Sequence, residues 1–218
     1  MPRSVANKLR QPRRRSAEMK KITLRFLLVL AAVSFNSGPS IAAETCQQIV
    51  ANDLRKCGTQ PAGLLRPVSE LNGCFEVKIK AASPWNATGV RLERGRRYEF
   101  KVLPDKVGED PMWYDASLDA TPEGWTEESH KEMNSGSWFV RWYVAATDWL
   151  GYRRVTSQDW FYLMGMVAEV GDQLIPIGNG TTDTIQRSGE FCAFANDLPW
   201  TYRNNKGSLM LRVQELGK

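Results

Sequence analysis

Apolar residues recur at every second position in three separate stretches, and that period constrains the fold more than any other feature of the chain. Phe75, Val77 and Ile79 alternate with Glu76, Lys78 and Lys80. Tyr98, Phe100 and Val102 alternate with Glu99 and Lys101, and Leu209, Leu211 and Val213 with Met210 and Arg212. A period of two places successive side chains on opposite faces of an extended backbone, so each stretch reads as a half-buried strand. A strand with one dry face needs a second layer to cover it. Phe161 to Val167, Leu174 to Ile177 and Glu190 to Ala195 supply further short apolar runs, and Gly178-Asn179-Gly180 marks a turn. Short strands between turn signals predict an all-β, jelly-roll sandwich over residues 74–218.

What precedes residue 74 has a different character. Residues 1–43 hold nine of the 29 Lys and Arg and one of the 24 acids. The remainder carries 20 basic against 23 acidic residues, a net charge of −3, so the basic excess belongs to the leader. Met19 offers a second start, followed by Lys20, Lys21, an apolar core from Ile22 to Phe35 and the small-residue exit Ser40-Ile41-Ala42. A basic segment, a short apolar core and a small-x-small exit describe a secretory signal peptide, here 1–42. The apolar core, about 14 residues broken by Arg25, is too short to span a bilayer comfortably. No stable membrane insertion is expected after cleavage, and the protein is expected in the periplasm or outside the cell. Residues 43–73 read as a short helix capped at Thr45 and ending at Gly58, then a Pro- and Gly-rich connector.

Export makes pairing of Cys46, Cys57, Cys74 and Cys192 the expectation. None forms a Cys-x-x-Cys, which speaks against zinc or redox chemistry. Four cysteines allow three connectivities. In a continuous helix Cys46 and Cys57 would lie about 16 Å apart, against the roughly 7 Å between Cα atoms that a disulfide tolerates. The preferred pair is Cys74 with Cys192, joining an early strand to a late one.

The segment Asn196 to Asn205 crowds oxygen donors into one turn. Asp197 offers a carboxylate, Asn204 and Asn205 side-chain carbonyls, and Thr201 a backbone carbonyl. Calcium takes roughly 6 to 8 such oxygens. The same Asn and Asp residues also suit a bare turn, since their side chains hydrogen-bond their own backbone. Asn196, Asp197, Pro199, Thr201, Tyr202, Asn204, Asn205, Gly207 and Ser208 stand in register with the calcium loop of the galactophilic bacterial lectins of the PA-I type, which this segment resembles. Trp85-x-x-Thr88-Gly89-Val90 likewise looks like the opening of a galactose-binding-type β-sandwich. The resemblance implies that Ca2+ is held by Asp197, Thr201, Asn204 and Asn205, with two sugar hydroxyls completing the shell. It also implies a backbone carbonyl from Tyr114, which stands eight residues before Pro122-Glu123-Gly124. Trp200 occupies a position where those lectins carry Gly, and an indole there either stacks on a pyranose or blocks it.

Between Pro104 and Trp160 lie six of the eight tryptophans, read as an elaborated loop with a local aromatic core, or as a carbohydrate platform. His130, the sole histidine, follows the Pro-x-Gly at a spacing unlike that of the sugar-contacting His of the lectins, yet is the nearest candidate for such a contact. No nucleophile elbow, His-Glu-x-x-His, phosphate loop or dinucleotide fingerprint is present, so a non-enzymatic binding protein is expected. The acidic mature chain disfavours nucleic acid. The expectation is an exported, calcium-dependent carbohydrate-binding module, its glycan partner galactose-like by resemblance and its oligomeric state open. The alternative is a structural or interaction protein of the cell envelope that kept the jelly roll and binds no sugar.

Overall fold

The computed structural model describes residues 46–49, 57, 62–104, 110–168 and 173–217. The chain divides into Met1–Ala42 and Ala43–Lys218, and all described residues fall in the second unit. The expected leader, 1–42, lies outside the described residues.

In chain order the strands begin with β1 (Gln47–Ile49), β2 (Arg66–Pro67), β3 (Cys74–Lys80), β4 (Asn86–Leu92) and β5 (Arg97–Leu103). A short meander follows, β6 (Trp113–Asp115), β7 (Leu118–Thr121) and β8 (Gly124–Trp125), then helices α1 (Glu127–Ser135) and α2 (Trp138–Trp149). The chain returns through β9 (Leu163–Ala168), β10 (Gln173–Pro176), β11 (Gly180–Thr184), β12 (Gly189–Ala195) and β13 (Lys206–Glu215). One sheet is built on β13, which pairs antiparallel with β3 on one side and β5 on the other; β1 flanks β3 and β11 flanks β5. The second sheet runs β10-β9-β12-β4-β2. The fold is thus the all-β sandwich of the sequence expectation.

Alternation explains the layers. Phe75, Val77 and Ile79, Tyr98, Phe100 and Val102, and Leu209, Leu211 and Val213 all point into one core against Phe191, Ala193 and Ala195 of β12. Phe191 sits between Phe75 and Phe100, with ring centroids 6.3 and 5.4 Å away. The intervening residues of β12 face the opposite way, and Phe194 joins Met164, Met166 and Val155 in a second, smaller core on the outside of that sheet.

Three expectations are corrected. Residues 47–49, expected within a helix, form β1, which pairs in parallel with Phe75–Val77. A disulfide from Cys46 to Cys74, Cα atoms 5.0 Å apart, clamps this segment beside the first residue of β3 and extends it. Val50, Leu54 and the expected helix end at Gly58 lie outside the described residues. The second bond joins Cys57 to Cys192, Cα atoms 5.7 Å apart, and not Cys74 to Cys192. Cys74 and Cys192 belong to different sheets, and packed sheets stand about 10 Å apart, beyond disulfide reach. Cys192 also alternates with Phe191 and Ala193 and so points out of the sandwich, where Cys57 packs on the smaller core.

The third correction concerns the expected elaborated loop: among its described residues, 110–160, β6, β7, β8, α1 and α2 make up most of the segment. Thr126 caps α1, its Oγ1 accepting from the Ser129 amide at 3.2 Å. Trp113, Trp125 and Trp160 are buried in the main core, while Trp138, Trp142 and Trp149 on α2 are 73, 60 and 85% exposed. Among the described residues no helix is long and apolar enough to cross a membrane.

Candidate cation and ligand site

β12 ends at Ala195, and the chain then turns through Asn196–Asn205 before entering β13. Asn196, fully buried, holds this turn in place. Its Oδ1 accepts from the Val155 amide at 3.0 Å, and its Nδ2 donates to the carbonyls of Val155 at 2.8 Å and Asp159 at 2.9 Å. Its backbone bonds Phe161 and Tyr162. Tyr202, buried beneath the turn, donates its hydroxyl to the Ala195 carbonyl. The turn is therefore stapled from below, which fixes the direction of its remaining donors.

Asp197 is 2% exposed. Its Oδ1 accepts from the Leu198 amide at 2.6 Å and its Oδ2 from Asn205 Nδ2 at 2.9 Å. Burial raises its pKa, against the lowering effect of those hydrogen bonds, of Thr201 and of the nearby Arg154 cation. Arg154 is itself stacked over Trp85 and Tyr202 and donates to the Pro84 carbonyl. Asn205 is 4% exposed, and its Oδ1 has no hydrogen-bond partner. A buried amide oxygen left unpaired is costly, and a cation or an ordered water satisfies it. Asn204 is exposed, and Thr201, whose carbonyl accepts from the Asn204 amide at 3.0 Å, is half-buried. The second lone pair of that carbonyl remains available. The donors present are oxygens of the hard kind calcium takes, and they fit it. Among the described residues no group of three or more His, Cys, Asp or Glu side chains is placed to hold a metal.

Asp197, Thr201 and Asn204 open on a cavity of about 360 Å³, whose apolar side includes Leu118, Trp125, Tyr143 and Trp160. Tyr114, on β6, pairs with Lys206 at the entry to β13, which brings its backbone beside the turn. Its neighbour Asp115 escaped the sequence reading. Asp115 is 9% exposed, lines the same cavity as Asp197, and accepts at Oδ2 from Trp125 Nε1 at 3.1 Å. Its pKa is pushed up to about 7, first by burial and then by the Asp197 charge, against the Trp125 hydrogen bond. One signal was present in the sequence: in Trp113-Tyr114-Asp115 an acid shares the inward face of a strand with a tryptophan.

Of the four candidate sugar contacts, Asp197 and Asn204 line this cavity, whereas Trp200 and His130 do not. Trp200 is 56% exposed, donates to Tyr143 Oη at 3.3 Å and packs edge-on to Tyr152. It lines a separate cavity of about 460 Å³ with Pro84, Pro199 and Arg203 and is not part of the Asp197 cavity wall. His130 bonds Asp159 Oδ2 through Nε2 at 2.9 Å and lines a neighbouring cavity of about 400 Å³. Trp125 and Trp160, stacked with centroids 5.3 Å apart, form part of the wall common to the two cavities.

No family model and no curated protein matches the chain. Among solved structures, the N-terminal domain of EclA, titled a PllA-like lectin, is similar over 66% of this chain and 98% of that one, at 16% sequence identity and a TM-score of 0.43.

Proposed function

We propose that this protein is an exported calcium-dependent carbohydrate-binding module and not an enzyme. The supporting observation is the buried pair Asp197 and Asn205, one amide oxygen of which has no partner, at the edge of a cavity that also receives Thr201 and Asn204. In this reading Asp197, Asn204 and Asn205 hold calcium through side chains, and Thr201 and Tyr114 through backbone carbonyls. The bound cation supplies positions that accept two vicinal sugar hydroxyls, and Tyr143, the exposed ring of the cavity wall, offers apolar surface for a pyranose C–H face. Two disulfides suit an oxidising compartment and so agree with export.

Calcium titration followed by thermal melting tests this reading, with a glycan array run on the calcium-loaded protein. At a free calcium concentration one hundred times the dissociation constant, binding should stabilise the fold by about 2.7 kcal/mol. Asp197→Ala should remove that difference, and Trp200→Gly, a change outside the cavity, should preserve it. A wild-type protein whose melting ignores both calcium and chelator, and which retains no glycan, would sink the proposal.

A further inference from the structure

We propose that Asp115 is a second carboxylate ligand of the cation site, held in place by the Trp125 indole, so that the site presents two negative charges. The inference rests on the calcium reading above and extends it to a residue outside the turn.

Register is the first support. Lys206 pairs with Tyr114 and Gly207 with Trp113 in antiparallel sense. Asn205 and Asp115 adjoin the last pair of that ladder, one on each strand, so β6 and β13 bring Asp115 to the end of the turn that carries Asp197. Asn205 in turn contacts Asp197 at 2.9 Å. Location is the second support. Asp115 lines the cavity that Asp197, Thr201 and Asn204 also line.

The third support is the accounting of partners. Among the described residues Asp115 receives one neutral donor, the Trp125 indole, and no basic side chain pairs with it. Asp197 has the Arg154 cation nearby, but that charge is directed over the Trp85, Phe194 and Tyr202 rings. Two buried ionised carboxylates facing one volume repel each other, and the repulsion is relieved either by a proton on one of them or by a cation that enters between them. The unpartnered Oδ1 of Asn205 is an independent sign of the same missing electrophile. The indole holds one oxygen of Asp115 and leaves the other for the cavity. With both acids ionised a bound calcium is neutralised, and the apolar wall meets an uncharged ligand.

Isothermal titration of the purified protein with calcium chloride tests the assignment, on the wild type, Asp115→Asn, Asp115→Ser and the exposed control Asp119→Asn. Asp115→Asn keeps an acceptor for the indole and removes the charge. It should weaken calcium binding at least tenfold, as should Asp115→Ser, while Asp119→Asn leaves it unchanged. Terbium(III) provides a readout that a purely structural role would not move. The attraction lost with one carboxylate scales with cation charge, so the fold-loss for terbium should exceed that for calcium. Wild-type calcium affinity in both Asp115 variants, or equal losses for the two cations, would overturn the assignment and leave the calcium reading standing. Absence of calcium binding by the wild type would overturn both. Melting in chelator guards against misfolding: Asp115→Asn should be at least as stable as the wild type there, because an unpaired buried charge is gone, and a marked drop would count against the proposal.

Discussion

The three Asn residues of the 196–205 turn occupy environments that their sequence cannot distinguish. Asn196 spends every side-chain atom on the backbone of 155–159, whereas Asn204 is exposed and Asn205 is buried with a free oxygen. The turn-former and ligand explanations of this sequence are thus not rivals, since the first describes Asn196. Asn196→Ala should lower the unfolding free energy by about 3 kcal/mol, because it strands several buried backbone groups at once. Asn204→Ala should cost under about 0.5 kcal/mol, and urea titration in chelator compares the two. Asp115 was illegible for a simple reason: its role depends on Asp197, with which it shares a cavity only through the pairing of β6 with β13. Its raised pKa also has a thermodynamic consequence in metal-free protein. The folded value of about 7 lies above the unfolded carboxylate value of about 3.9. The stability this contributes is fully present below about pH 4 and is lost as pH rises through about 7. Urea titrations in chelator between pH 5 and pH 8 should show that decline, and Asp115→Asn should flatten it.

At the level of elements, legibility followed the period. β3, β5 and β13 alternate cleanly and form within a few residues of where the pattern places them. β1 does not announce itself, because Gln47-Gln48-Ile49 is extended by the adjoining disulfide and by pairing with β3 more than by its own preference. The hairpin of α1 and α2 was hidden for another reason. Its second helix carries Trp138, Trp142 and Trp149 on the exposed side, so hydrophobicity does not mark the face that packs. α1 is legible at its start, where Thr126 caps and Glu127 and Glu128 complement the helix dipole. Thr126→Ala should cost about 1 kcal/mol. Ser129 would then lose one of its tethers, though it also donates to the Asp119 carbonyl at 2.7 Å. Hydrogen exchange should report faster opening of α1 than of β12 or β13 in this variant.

Over the whole molecule, the disulfides stitch an N-terminal segment to both sheets: Cys46 to β3 and Cys57 to β12. Each such bond typically contributes about 2 to 4 kcal/mol. Replacing Cys57 and Cys192 together by Ser should lower stability by that order, read as a lower urea midpoint with a steeper slope, since the unfolded chain freed of a 135-residue loop exposes more surface. Sequence announced that the cysteines pair, but partner choice depends on which face of β12 each residue occupies. β13 has the widest reach of any strand, touching β3, β5 and β6, and the turn that precedes it supplies most of the proposed cation donors. Those donors meet Tyr114 and Asp115 only when β13 is already seated. Time thus enters the description: the cation would find its coordination shell late, after the chain has crossed its main barrier. Interactions absent from the transition state slow unfolding and leave folding untouched. Stopped-flow traces with and without calcium should therefore separate on the unfolding limb alone, so that calcium acts as a latch on a finished molecule and not as a template for an unfinished one.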